Sequence, residues 1–137
     1  MAQALAVLIR SVLVAAAGIL TAALMNSGSD RDGGANIGAG LLAFAIIAVI
    51  SLVWAVYDAH RSRAALATLL CWALVAVLVG IAMAVQIQFG GSEGIDGEVL
   101  RSDLLSVAPF VAGLVFVPAM LGTAAGAALG DSGRHRG

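Results

Sequence analysis

The chain has 137 residues, of which 61% are hydrophobic and 11% charged, against about 45–50% and 25% in a typical soluble domain. So few charges cannot cover a domain of this size in water, and the mean hydropathy of +1.05 points the same way. The net charge is −1 and all 7 basic residues are arginine, which gives no basis for nucleic-acid binding; the single cysteine, Cys71, excludes an intrachain disulfide and a cysteine-rich metal centre.

The first apolar run covers residues 5–25 and is broken only by Arg10. About 20 helical residues at 1.5 Å each cross a hydrocarbon layer of roughly 30 Å. In hydrocarbon every backbone amide must find a partner within the protein, so a run of this kind is predicted to be a helix. Arg10 would lie about 10 Å inside it, where a charge is costly. Three readings are open. The side chain snorkels to the headgroups, or residues 1–9 lie along the interface. It pairs with Asp58. Or it forms a substrate or lipid-phosphate site. Gly18 and Ala22, four apart, let a second backbone approach. The run also has an export-signal reading, with Ser11 to Leu20 as its apolar core and Thr21-Ala22-Ala23 as a cleavage site. Residues 1–9 are apolar rather than basic, so an uncleaved span is the expectation.

Residues 26–36 are rich in Gly, Ser, Asn and Asp, which favour turns and add nothing to a core. The second run covers residues 37–57 and ends in Trp54 and Tyr57, residues suited to an interface. Residues 58–63, Asp-Ala-His-Arg-Ser-Arg, read as a short turn, so the second and third runs should form an antiparallel hairpin. The third run covers residues 64–87; Cys71 and Trp72 read as core, and Gln86 and Gln88 close the helix. Residues 88–103 read as an acidic loop that turns helical from about Gly97, where Val99, Leu100, Leu104 and Leu105 share a face.

The fourth run covers residues 104–129. At 1.5 Å per residue it is about 39 Å long, more than the hydrocarbon needs, so tilt or bending is expected. Pro109 and Pro118 each remove one helical hydrogen bond, and Gly113 eases bending. Gly122, Gly126 and Gly130 fall four apart on one face. In lipid, small residues at that spacing permit close helix contact, either inside the bundle or with a second molecule. Residues 130–137 form a polar tail.

Four runs without period-two alternation define an all-α, antiparallel membrane four-helix bundle in a single domain. Arg10, Arg61, Arg63, Arg134 and Arg136 fall on one side of such a bundle, and only Arg31 and Arg101 on the other. The positive-inside rule then places both termini in the cytoplasm.

In layout and composition the whole chain resembles small four-span inner-membrane proteins of high-GC bacteria, whose families are uncharacterised. The resemblance has no motif of its own and transfers no functional residue. The residues themselves show no Walker loop, nucleophile elbow, calcium loop or histidine ligand set, so no cofactor, no metal and no enzymatic activity are expected. The expected role is a structural or accessory subunit that contacts membrane lipid and packs as a homo-oligomer or against a larger membrane complex. The alternatives are a small oligomeric transporter or pore, and a holin-like protein.

Overall fold

The computed structural model describes residues 2–26, 37–62, 64–89 and 96–132. They form four helices: α1 (Ala2–Asn26), α2 (Ile37–Ser62), α3 (Ala65–Phe89) and α4 (Gly97–Ser132). No strand occurs among the described residues. The molecule is a helical bundle.

Named contacts set the directions. Arg10 meets Asp58 and Gly18 meets Ile47, so α1 and α2 are antiparallel. Trp72 meets Asp58 and Thr68 meets Ser62, so α2 and α3 are antiparallel. Gly80 meets Ala108 and Gln88 meets Asp103, so α3 and α4 are antiparallel. The start of α1 and the end of α4 therefore share one end of the bundle with the link between α2 and α3.

Two helix boundaries differ from the sequence reading. Residues 58–62 are the last turn and a half of α2, not a loop, and α3 begins at Ala65. Nothing in Asp-Ala-His-Arg-Ser breaks a helix, and His60 and Arg61 in its last turn complement the negative end of the macrodipole. Likewise α3 runs on to Phe89, while α4 begins at Gly97, where the sequence reading turned the acidic segment helical, so all of residues 97–103 belong to a helix. Asp96 starts α4: its Oδ1 accepts from the amides of Glu98 at 2.8 Å and Val99 at 3.4 Å. α4 then runs unbroken through Pro109 and Pro118 for 36 residues.

The helices also choose partners that their order along the chain does not suggest. α2 and α3 are joined by the shortest link, yet they pack weakly on each other. α4 lies closely along both, parallel to α2 and antiparallel to α3, while α1 packs on α2 and α3 and, among the described residues, its backbone does not come close to that of α4. Small residues account for the choice. A Cβ on Gly80 would collide with the Ala108 carbonyl oxygen, one on Gly122 with that of Leu52, and one on Gly126 with that of Val56. These glycines bring α4 against bare backbone on two helices. Between α2 and α3, by contrast, stand the rings of Trp54 and Trp72.

The core is made of Val14, Ile47, Trp72, Val75, Val79 and Val115, each at most 1% exposed. Outside it the usual arrangement of a soluble protein is inverted. Leu5, Leu20, Leu41, Leu66, Leu70 and Leu105 stand outward, each at least 59% exposed. Three helices are long and apolar enough to cross a membrane, within Gly40–Ser62, Ala65–Phe89 and Gly97–Gly130; the apolar part of α1, Leu5–Thr21, is shorter.

Gly122→Leu or Gly126→Leu is expected to force α4 off α2 and to cost about 1–3 kcal/mol, typical of an overpacked contact. Gly130→Leu should be neutral, because nothing lies within 4 Å of its Cβ position. Thermal unfolding in detergent checks the ranking; equal melting of all three would refute the backbone contact.

Candidate functional site

The end of the bundle that carries the α2–α3 link holds most of its interior polarity. Arg10 is on the third turn of α1, and Asp58 is one turn from the end of α2. The Arg10 Nη2 donates to Asp58 Oδ1 at 2.9 Å. The two side chains are 18% and 14% exposed, so the pair is largely shielded from water. The other carboxylate oxygen, Oδ2, accepts from the Trp72 indole N–H at 3.2 Å. Trp72 is fully buried and its ring stands edge-on to Trp54, with centroids 6.4 Å apart. The Arg10 guanidinium carbon in turn lies 5.8 Å from the Trp54 ring centroid. One carboxylate thus joins α1, α2 and α3, and two indoles wall it off.

The cost of a charge inside an apolar helix explains this arrangement. An unpaired arginine at the centre of a span costs about 2.5–3.5 kcal/mol on insertion scales. Here Asp58 neutralises it and Trp54 adds a cation–π contact. The Arg10 Nε remains enclosed and has no hydrogen-bond partner. Of the three readings open for Arg10, the structure brings it to Asp58.

Beside the pair is a cavity of about 310 Å³, lined by Arg10, Asp58, Arg61, Ser62, Thr68 and Cys71 among others. The Arg61 Nη1 donates to the Tyr57 hydroxyl at 2.7 Å, with the guanidinium carbon 5.9 Å from the Tyr57 ring centroid. The hydroxyls of Ser62 and Thr68 share a hydrogen bond of 2.9 Å across the α2–α3 link. Cys71 is partly buried and carries a free thiol.

The glycines of the sequence reading separate into two groups. Gly122 and Gly126 lie against α2, so their face is occupied within the molecule. Gly130 is open, with nothing within 4 Å of its Cβ position. Gly18 faces Ile47, whose Cδ1 would be 2.6 Å from an added Cβ. That atom is the far end of a flexible side chain, so it can shift. The side chain of Ala22 lies outside the described residues, as do Arg31, Arg63, Arg134, Arg136 and His135.

Sequence reasoning passed over four participants. Trp72 read only as core, yet it donates to Asp58; a buried indole N–H needs an acceptor, and that requirement was the available signal. Gly80 read as an ordinary part of the third run. Gln88 read only as closing the third helix and Asp103 as part of the acidic segment, but the Gln88 Nε2 donates to Asp103 Oδ2 at 2.7 Å and ties α3 to α4 at the opposite end. Among the described residues, no group of three or more His, Cys, Asp or Glu is placed to hold a metal ion.

Compared with protein families, with curated proteins and with solved structures, the chain matches none.

Arg10→Ala and Asp58→Ala are each expected to destabilise the fold, Asp58→Ala more, because it strips partners from both Arg10 and Trp72. A double-mutant cycle by thermal unfolding in detergent should give a coupling of about 0.5–3 kcal/mol; strict additivity would show that the pair contributes nothing. Trp72→Phe removes the donor and shrinks a fully buried ring, so its cost should be at least about 1.5–3 kcal/mol, the range for a bond to a charged group, with a cavity cost added.

Proposed function

We propose that this chain is a multi-pass protein of the cell inner membrane, crossing it four times with both termini in the cytoplasm. Its role is that of a structural or accessory subunit, packing against itself or a larger membrane complex. One observation carries the reading: the polar and small residues face inward while large aliphatic side chains face outward around the bundle. Ser51, Thr123 and Trp72 are at most 1% exposed, whereas Leu24, Leu70 and Leu121 are at least 57% exposed. Such a surface matches hydrocarbon, not water.

Two features support α1 as a fourth span although its apolar part is the shorter. It buries Val7 and Val14 in the shared core, and its one charge is neutralised by Asp58. The orientation rests on arginine. Arg10 and Arg61 lie at the end of the bundle that carries the link, and Arg101 is the basic residue near the start of α4. Cytoplasmic retention of arginine assigns the first of these ends to the cytoplasm.

The accessory role is supported by how the polar side chains are used. Asp58 holds Arg10 and Trp72, Gln88 holds Asp103, and the Ser11, Thr21 and Thr123 hydroxyls donate to their own helix carbonyls. Valine, isoleucine and tryptophan fill the space between the helices. A single copy therefore offers lipids or a partner an apolar exterior around a filled interior.

Membrane pellets washed with carbonate should retain the chain, and a cysteine placed at residue 137 in a Cys71→Ala background should react with an impermeant maleimide only after the cells are opened. Labelling of intact spheroplasts from the periplasmic side would overturn the orientation. Native mass spectrometry from mild detergent should show an oligomer or a stoichiometric co-purifying protein; a bare monomer under every mild condition would overturn the accessory role.

A further inference from the structure

The cavity beside the Arg10–Asp58 pair has a neighbour that the pair itself does not use. A groove of about 470 Å³ runs along the outside of α2, lined by Val49, Ile50, Val53, Trp54 and Tyr57. Cavity and groove adjoin at two places. Arg10, which lines the cavity, stacks on Trp54, which lines the groove. Arg61, which also lines the cavity, stacks on Tyr57, which lines the groove. The charged cavity and the apolar groove are therefore neighbours, bridged by two cation–aromatic pairs, and together give a depression with a charged end and an apolar end.

The charged end favours an anion. Arg10, Asp58 and Arg61 are the charged side chains of the cavity lining, and together they carry one net positive charge. Asp58 is already saturated, with one oxygen accepting from Arg10 and the other from Trp72. Donors are in surplus. Arg61 gives one N–H to Tyr57, and a guanidinium has five. Ser62 and Thr68 share one hydrogen bond, which leaves one hydroxyl proton to donate. At about 310 Å³ the cavity is within the usual size range of a small-molecule site.

The apolar end favours a hydrocarbon chain. Val49, Val53 and Tyr57 are 60%, 58% and 55% exposed, and no polar side chain other than the Tyr57 hydroxyl and the Trp54 indole lines the groove. From Asp58 back to Val49 is nine residues, so at 1.5 Å per residue the groove leads about 14 Å along the helix, away from the end of the bundle. α2 has 26 residues; at 1.5 Å each that is about 39 Å, some 9 Å more than the hydrocarbon core, so charged groups in its last turns reach headgroup depth.

We propose that this depression is a binding site for an anionic phospholipid. The headgroup phosphate sits against Arg61, the free N–H groups of Arg10 and the Ser62–Thr68 hydroxyl pair, and one acyl chain lies along Val49, Ile50 and Val53. The site rests on the membrane reading above and assigns the lipid to the leaflet facing the α2–α3 link, where anionic lipids gather if that side is cytoplasmic.

The test uses the full chain purified in mild detergent, with retained lipid counted by native mass spectrometry. Anionic and zwitterionic phospholipids with identical acyl chains are offered in competition, and inorganic phosphate in a separate arm. The anionic lipid should be retained about tenfold better, the preference expected of one charge-assisted contact. Arg61→Gln, at an exposed position outside the core, should abolish that preference without shifting the melting temperature. Val53→Trp should fill the groove and weaken retention of both lipids alike. Equal retention of the two lipids by the unaltered chain would overturn the site, as would an anionic preference that survives Arg61→Gln. Displacement of the lipid by millimolar inorganic phosphate, with no effect of Val53→Trp, would reduce it to a phosphate site and overturn the lipid assignment. Failure of the membrane reading would look different: the chain would be monodisperse in plain buffer and carry no detergent.

Discussion

The layout of this bundle depends on backbone meeting backbone. In a medium as apolar as leucine, burying side chains gives helices little reason to associate, and van der Waals contact and hydrogen bonds must hold them together. Such contact is strongest where nothing projects between two helices. Gly80 lays α3 against the Ala108 carbonyl of α4, and Gly122 and Gly126 lay α4 against the carbonyls of Leu52 and Val56 on α2. α4 is thereby wedged between α2 and α3, which are joined in sequence but held apart by Trp54 and Trp72. The glycines that looked available for a second molecule are used up inside the first, except Gly130.

Across from α4, α1 is held in another way. It lacks such a glycine seam, and its contacts with α2 and α3 are fewer. Its anchor is the ion pair between Arg10 and Asp58, residues 48 apart in the chain. The pair is useful because both partners would be costly alone in a membrane, and because Asp58 also accepts from Trp72 on α3. One carboxylate therefore holds three helices in register. Breaking it would leave a guanidinium and an indole N–H without their acceptor.

The same constraint leads to the functional reading. Once the core is packed and Asp58 and Gln88 have bound their partners, the outward aliphatic surface and the depression between Arg61 and Val49 are what the molecule offers its surroundings. A surface of exposed leucines suits acyl chains or apolar helices of a partner. In the depression a spare positive charge and an apolar trough adjoin, and that pairing is the chemistry of an anionic amphiphile.

Much of this was legible in the residues. Low charge, four apolar runs and turn-rich connections were enough for a helical membrane bundle, because hydrophobicity and turn preference are local properties that survive without knowledge of neighbours. The start of α4 was readable too, since Asp96 and the spacing of Val99, Leu100, Leu104 and Leu105 are local signals. The ends of α2 and α3 were not, because charged residues mark polar surroundings and do not by themselves end a helix. Nor could the chain alone choose between snorkelling and pairing for Arg10, give Trp72 its acceptor, or say which helix the α4 glycines would meet. Those outcomes depend on which surfaces come together across dozens of residues. By itself the sequence determined the helices and their apolar character; only the tertiary structure decided their partners, because close packing is a property of two surfaces and neither one encodes the match.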